Sequence, residues 1–131
     1  MNTSKTQHVE FYKALSFLFY AIAISDKHFV DKEKIKIIDL VKKDWNIKSK
    51  EFDSEEYIYS ILRKLILDEI DMELAYVYFK SFFQLNPTLF PDKIKHKIMD
   101  SVYEIATTYA KKNKSEVQML SRVHQLMFEN K

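Results

Sequence analysis

The chain has 131 residues, 21 basic and 19 acidic, with a formal net charge of +2, two prolines, no cysteine and no glycine. This composition excludes disulfide frameworks and thiol chemistry, glycine-cradled phosphate sites, and hairpin-rich β folds whose tight turns need φ > 0. With 47% hydrophobic residues, residues 1–131 are expected to form one all-α domain with a core of its own, and the lack of cysteine fits a reducing, cytoplasmic setting.

The first helix is predicted from about Lys5 to Ser25, with Phe11, Leu15, Leu18, Phe19, Ile22 and Ala23 on one broad stripe. That width suits a central helix touched on several sides. Its apolar run, Ala14 to Ile24, is too short for a bilayer span of about 20 residues. Glu10 stands where a secretory leader would be basic, so the run reads as a buried helix with no membrane insertion. A loop from Asp26 to Val30 leads to a second helix ending near Trp45, with Ile35, Ile38, Val41 and Trp45 inward and Asn46 as a left-handed cap.

Asp53 with Glu56 resembles a capping box opening the third helix, which turns Ile58, Ile61, Leu62 and Leu65 inward. The acidic stretch Asp68 to Glu73 marks a break and the first turn of a fourth helix. That helix carries Met72, Ala75, Tyr76, Phe79, Phe82 and Phe83 and stops at Asn86-Pro87. Pro91-Asp92 starts the fifth, with Ile94, Ile98, Val102, Ile105 and Tyr109 as its stripe. Asn113 and Glu116 cap a sixth helix carrying Leu120, Val123 and Met127. The expected architecture is thus a compact bundle of about six helices.

Displaced by 83 positions, the chain matches itself: Phe11 falls on Ile94, Leu15 on Ile98, Phe19 on Val102, Ile22 on Ile105 and Leu40 on Val123. Tyr20/Tyr103, Ala23/Ala106 and Glu33/Glu116 are identities. The pattern reads as a duplicated helix–loop–helix packed about a pseudo-twofold. Within the first copy, the segment from Leu18 through Asp26-Lys27-His28-Phe29-Val30-Asp31-Lys32-Glu33 resembles the tellurite-resistance protein B (TerB) family. That family's signature is a helix ending in Ala-Asp-Gly, a short apolar loop, and a glutamate opening the next helix. Asp26, Phe29 and Glu33 take the aspartate, hydrophobe and glutamate places, while Ser25 and Lys27 replace the alanine and glycine. In the second copy Glu116 keeps its place and Tyr109 replaces the aspartate. The resemblance implies a non-enzymatic, bacterial, stress-associated helical module acting through protein interaction, whose relatives stand alone or fused to other domains, including a J-domain co-chaperone. It also implies divalent-cation binding at the acidic loops.

On the residues alone, Asp26, Asp31 and Glu33 are the candidate metal ligands, since hard divalent cations take carboxylate oxygens. The first-turn placement of Asp31 and Glu33 favours the plainer role of acids that complement the helix dipole. No cofactor is otherwise required. His28 would suit a transition metal, but the four histidines are scattered and form no His-x-x-x-His or Glu-x-x-His pair. The Asp68–Glu73 stretch is a second acidic cluster, by residue type a second cation site or an acid pair for catalysis, and its place at a helix start favours dipole and capping roles. His96 is expected on a solvated face among lysines, and His124 in or beside the core.

No nucleophile motif is present, so the chain reads as a non-enzyme. Its charge is interspersed rather than gathered in a stripe, which argues against nucleic acid. Tyr57, Tyr59, Tyr76, Tyr78, Phe79, Phe82, Phe83 and Phe90 crowd the middle third. Their spacing sends some rings toward the surface, where they would offer an interface for a protein partner or a homodimer without any metal.

Overall fold

The computed structural model describes residues 3–24, 31–46, 52–107 and 114–129, with the side chains of 3–7, 31–33 and 114–116 left undescribed. Six α-helices follow one another: α1 Thr3–Ala23, α2 Asp31–Asp44, α3 Ser54–Leu67, α4 Met72–Leu85, α5 Asp92–Ala106 and α6 Lys114–His124. A 3₁₀ turn, Pro87–Leu89, joins α4 to α5, and α6 runs on into a π-helical turn, Gln125–Glu129. No β-strand occurs among the described residues.

Helix α1 is the axis of the bundle and packs against α3, α4, α5 and α6. Every side chain from Leu18 to Ala23 is sealed from solvent, because this half of the helix is apolar on all sides and has no face to offer to water. Burying each of its large apolar side chains contributes about 1.5–3 kcal/mol. Two polar groups are carried inward and satisfied there. The Ser16 hydroxyl donates to the Tyr12 carbonyl at 2.7 Å, and the Tyr20 hydroxyl donates to the Ile70 carbonyl at 2.6 Å, tying α1 to the α3–α4 turn.

The buried face of α2 is not the expected one. Ile37, Leu40, Val41 and Trp45 point inward, whereas Ile35 and Ile38 are 57% and 39% exposed. At about 100° per residue the four buried positions fill one continuous arc. The arc faces α3 and α5, the two helices that flank α2, and the two isoleucines fall outside it. Trp45 ends the helix with its indole N–H donating to Ser101 Oγ of α5 at 3.0 Å. The Ser54 hydroxyl returns from the start of α3 to the Trp45 carbonyl at 2.6 Å, so α3 doubles back along α2.

Asp53 caps α3 as its sequence foretells, its carboxylate accepting from the Glu56 amide at 3.2 Å. At the other end Glu69 is left-handed, φ 51°, the positive φ among the described residues, so the left-handed residue is not at the expected Asn46. The Ile70 amide donates to the Leu65 carbonyl and the Glu69 amide to the Ile66 carbonyl, both at 3.1 Å. These two bonds make a Schellman motif with glutamate at the position glycine usually takes. Asp71 then caps α4, accepting from the Glu73 amide at 2.9 Å. Helix α4 ends at Leu85 ahead of Pro87, and Pro91 is the N-cap of α5 rather than part of its first turn.

The middle aromatics are drawn inward. Tyr76, Phe79 and Phe90 are buried, and Tyr57, Tyr59, Tyr78, Phe82 and Phe83 are half-buried against the core. Phe90 is the hub, with ring centroids 5.4 Å from Phe11, 5.9 Å from Phe79 and 4.8 Å from Phe83. Phe17 and Tyr78 stack at 4.1 Å between α1 and α4.

Candidate functional site

Of the three acids proposed as metal ligands, Asp26 lies outside the described residues, as does His28. Asp31 and Glu33 are described by backbone alone and fall in the first turn of α2. Among the described residues no three histidine, aspartate or glutamate side chains gather as a metal would need. At the positions 83 further on, Tyr109 is also outside the described residues, and the Glu116 side chain is undescribed.

The second acidic stretch is given over to structure. Asp71 caps α4, Asp68 meets the Lys64 ammonium at 3.3 Å, and Glu73 forms a two-pronged bridge to Arg122 of α6, with bonds of 2.8 and 2.7 Å. The guanidinium bonds hold the Glu73 carboxyl below the usual glutamate range, and Glu73 in turn raises Arg122. A carboxylate held this way is a poor proton donor near neutral pH. The same guanidinium lies 4.2 Å above the Tyr76 ring, and burial pushes the Tyr76 hydroxyl up. Tyr76, Lys80, Arg122, Gln125, Leu126 and Glu129 line an open polar cleft of about 360 Å³. Its arginine is already held on both sides, by carboxylate and by ring.

His96 is exposed, as expected. His124 is exposed as well rather than set into the core, because the α6 arc that turns inward is Met119, Val123, Leu126 and Met127. Both imidazoles flank Phe128, at 5.0 and 5.1 Å, and His124 Nδ1 is 3.1 Å from Glu129 Oε2.

The feature that sequence reasoning missed lies between α2 and α3. Lys34, Ile37 and Ile38 of α2 with Tyr59, Leu62, Arg63 and Ile66 of α3 line a groove of about 200 Å³. Ile37 and Leu62 form its buried floor, and Ile38 its partly exposed outer wall. The Tyr59 hydroxyl donates to Glu55 Oε2 at 2.9 Å, with the Ile38 carbonyl at 3.4 Å. Burial, and then the Glu55 carboxylate, push that phenol well above its ordinary range, so it stays a neutral hydrogen-bonding group at the groove wall. The signal was present in the sequence as an excess. Helix α2 carries Ile35, Ile37, Ile38, Leu40 and Val41, more apolar residues than one buried arc uses.

Compared with models of protein families, with curated proteins and with solved structures, the chain matches none.

Proposed function

We propose that this chain is a non-catalytic helical module that works through protein contacts, built on a duplicated helix–loop–helix of the TerB-like kind. The observation that carries the contact reading is the α2–α3 groove. It is walled by Ile38, floored by Ile37 and Leu62, and extended outward along α2 by the exposed Ile35. Exposed apolar surface joined to a concavity is the kind of patch that marks interaction sites.

The duplication is supported by the helix boundaries. Helices α1 and α5 end at Ala23 and Ala106, 83 positions apart. Leu15/Ile98, Phe19/Val102, Ile22/Ile105, Ala23/Ala106 and Leu40/Val123 are buried at both members, while Tyr20 is buried and Tyr103 is 52% exposed. The TerB-like resemblance adds a bacterial, cytoplasmic, stress-associated setting, tellurite among the stresses, and a divalent cation at Asp26, Asp31 and Glu33 as a tuning ligand.

Two measurements test these parts separately. The contact reading predicts that a photo-reactive benzoylphenylalanine at position 63, on the groove wall, captures a protein in cells. No protein adduct, with the fold intact, would refute it. The cation reading predicts that calcium, magnesium, zinc or nickel raises the melting temperature relative to chelator, since a ligand of the folded state alone must stabilise it. The rise should vanish in Asp26→Ala, and an unmoved melt with every cation would leave Asp31 and Glu33 as helix-dipole partners only.

A further inference from the structure

We propose that the occupant of the α2–α3 groove is the same groove of a second copy of this chain, the two copies related by a twofold axis. This deepens the protein-contact reading and rests on it. A twofold interface uses one patch on both subunits, so the patch must carry its own complement. Here hollow and projection lie side by side: the groove of about 200 Å³, and beside it Ile38 and Ile35, 39% and 57% exposed.

The charges are arranged to match. The Ser54–Trp45 bond at the shared corner sets α2 and α3 antiparallel, and Tyr59 stands level with Ile38. Lys34 on α2 and Arg63 on α3 line the groove one turn to one side of that level. Glu55, bound to the Tyr59 hydroxyl, lies one turn to the other side. Glu55 and Arg63 are therefore about 12 Å apart along the helix axis, at 1.5 Å per residue, with Tyr59 midway. A twofold axis at the level of Tyr59 lays Arg63 of each copy on Glu55 of the other. A parallel arrangement would stack cation on cation, which complementary interfaces avoid. An unrelated partner would have to reproduce this spacing, whereas a second copy brings it by symmetry.

Sedimentation velocity on the full chain, from about micromolar to about millimolar concentration, reads the association directly. A concentration-dependent dimer is expected. Ile38→Asp should weaken it by about tenfold or more, as removal of a central apolar anchor does. Arg63→Glu should weaken it, and Arg63→Glu combined with Glu55→Arg should restore it. All three positions lie at least partly in solvent, and a cooperative melt by circular dichroism confirms that each variant folds. A single monomeric species at every concentration would overturn the proposal, as would a dimer indifferent to Ile38→Asp or a double reversal weaker than Arg63→Glu alone. A monomer that still cross-links to another protein through position 63 in cells overturns the twofold but leaves the contact reading standing. A monomer with no adduct overturns both.

Discussion

Glu69→Gly should stabilise this protein. The residue holds φ 51°, where a side chain's Cβ crowds the backbone at a cost of about 1–2 kcal/mol for an L-residue other than glycine. It stays there because the motif over-determines it: the Glu69 and Ile70 amides are both bonded back to α3, Ile70 packs on the core, and the Tyr20 hydroxyl holds the Ile70 carbonyl. Removing the side chain relieves that crowding but frees the unfolded chain, which returns about 0.4–1 kcal/mol. The balance is a gain of about 0.5–1 kcal/mol, or a melting temperature higher by about 2–4 °C for a chain of this size. Urea denaturation is the assay, because an unchanged slope with a higher midpoint isolates stability from compactness. Glu69→Ala keeps the Cβ and should leave the unfolding free energy within about 0.5 kcal/mol of wild type, as an ordinary surface change does. If Glu69→Gly were neutral or destabilising while Glu69→Ala was harmless, the strain argument would be wrong.

Other consequences are as direct. Glu73→Gln breaks the bridge to Arg122; with the two side chains 52% and 39% exposed, solvent screening limits the loss at pH 7 to about 0.5–1 kcal/mol. Because the folded carboxyl lies below its ordinary value of 4.5, its contribution is present above that pH and fades as acid protonates the folded form. Wild type and Glu73→Gln should accordingly differ in thermal melts at pH 7 and converge in strong acid; a difference that persists there would contradict the assignment. Ser101→Ala leaves the buried Trp45 indole N–H without the acceptor it has at 3.0 Å. The expected loss is about 1–3 kcal/mol, read by urea denaturation, and a change below about 0.5 kcal/mol would show that the bond is not needed. Phe90→Ala, at the hub of the aromatic cluster, should lower stability by about 3–5 kcal/mol in the same assay, and a small effect would mean that the cluster repacks around the space.

What could be read from the residues was whatever is decided locally. Asp53–Glu56 and Asn86-Pro87 mark their helix ends because capping and the loss of a proline N–H act within one turn. The long stripe of α1 required no partner to be recognised. The face of α2 was a different matter, since two overlapping apolar arcs share Val41 and Trp45, and only the placement of α3 and α5 chooses between them. The groove was hidden for the same reason, being a joint property of Ile38 and Tyr59, which are 21 positions apart. Glu69 was missed because propensity favours asparagine for a left-handed residue, whereas tertiary bonds around Ile70 imposed that conformation on glutamate. Of the acidic site foreseen at Asp26, Asp31 and Glu33, the backbone places the last two at a helix start and goes no further.

The burial of Leu18 to Ala23 on every side of α1 also dictates an order of events during synthesis. Ribosomes release this helix before α3, α4, α5 and α6, the helices that enclose it. Lacking a polar face in its second half, it cannot finish as a solvated amphipathic helix and wait. The stretch around Leu18 to Ala23 therefore stays uncovered until the later helices emerge, and a nascent chain halted before α5 carries bare apolar surface. Such partly covered intermediates are prone to aggregate and are the natural clients of chaperones. The axis of the finished bundle is thus its most vulnerable segment while the chain is being made.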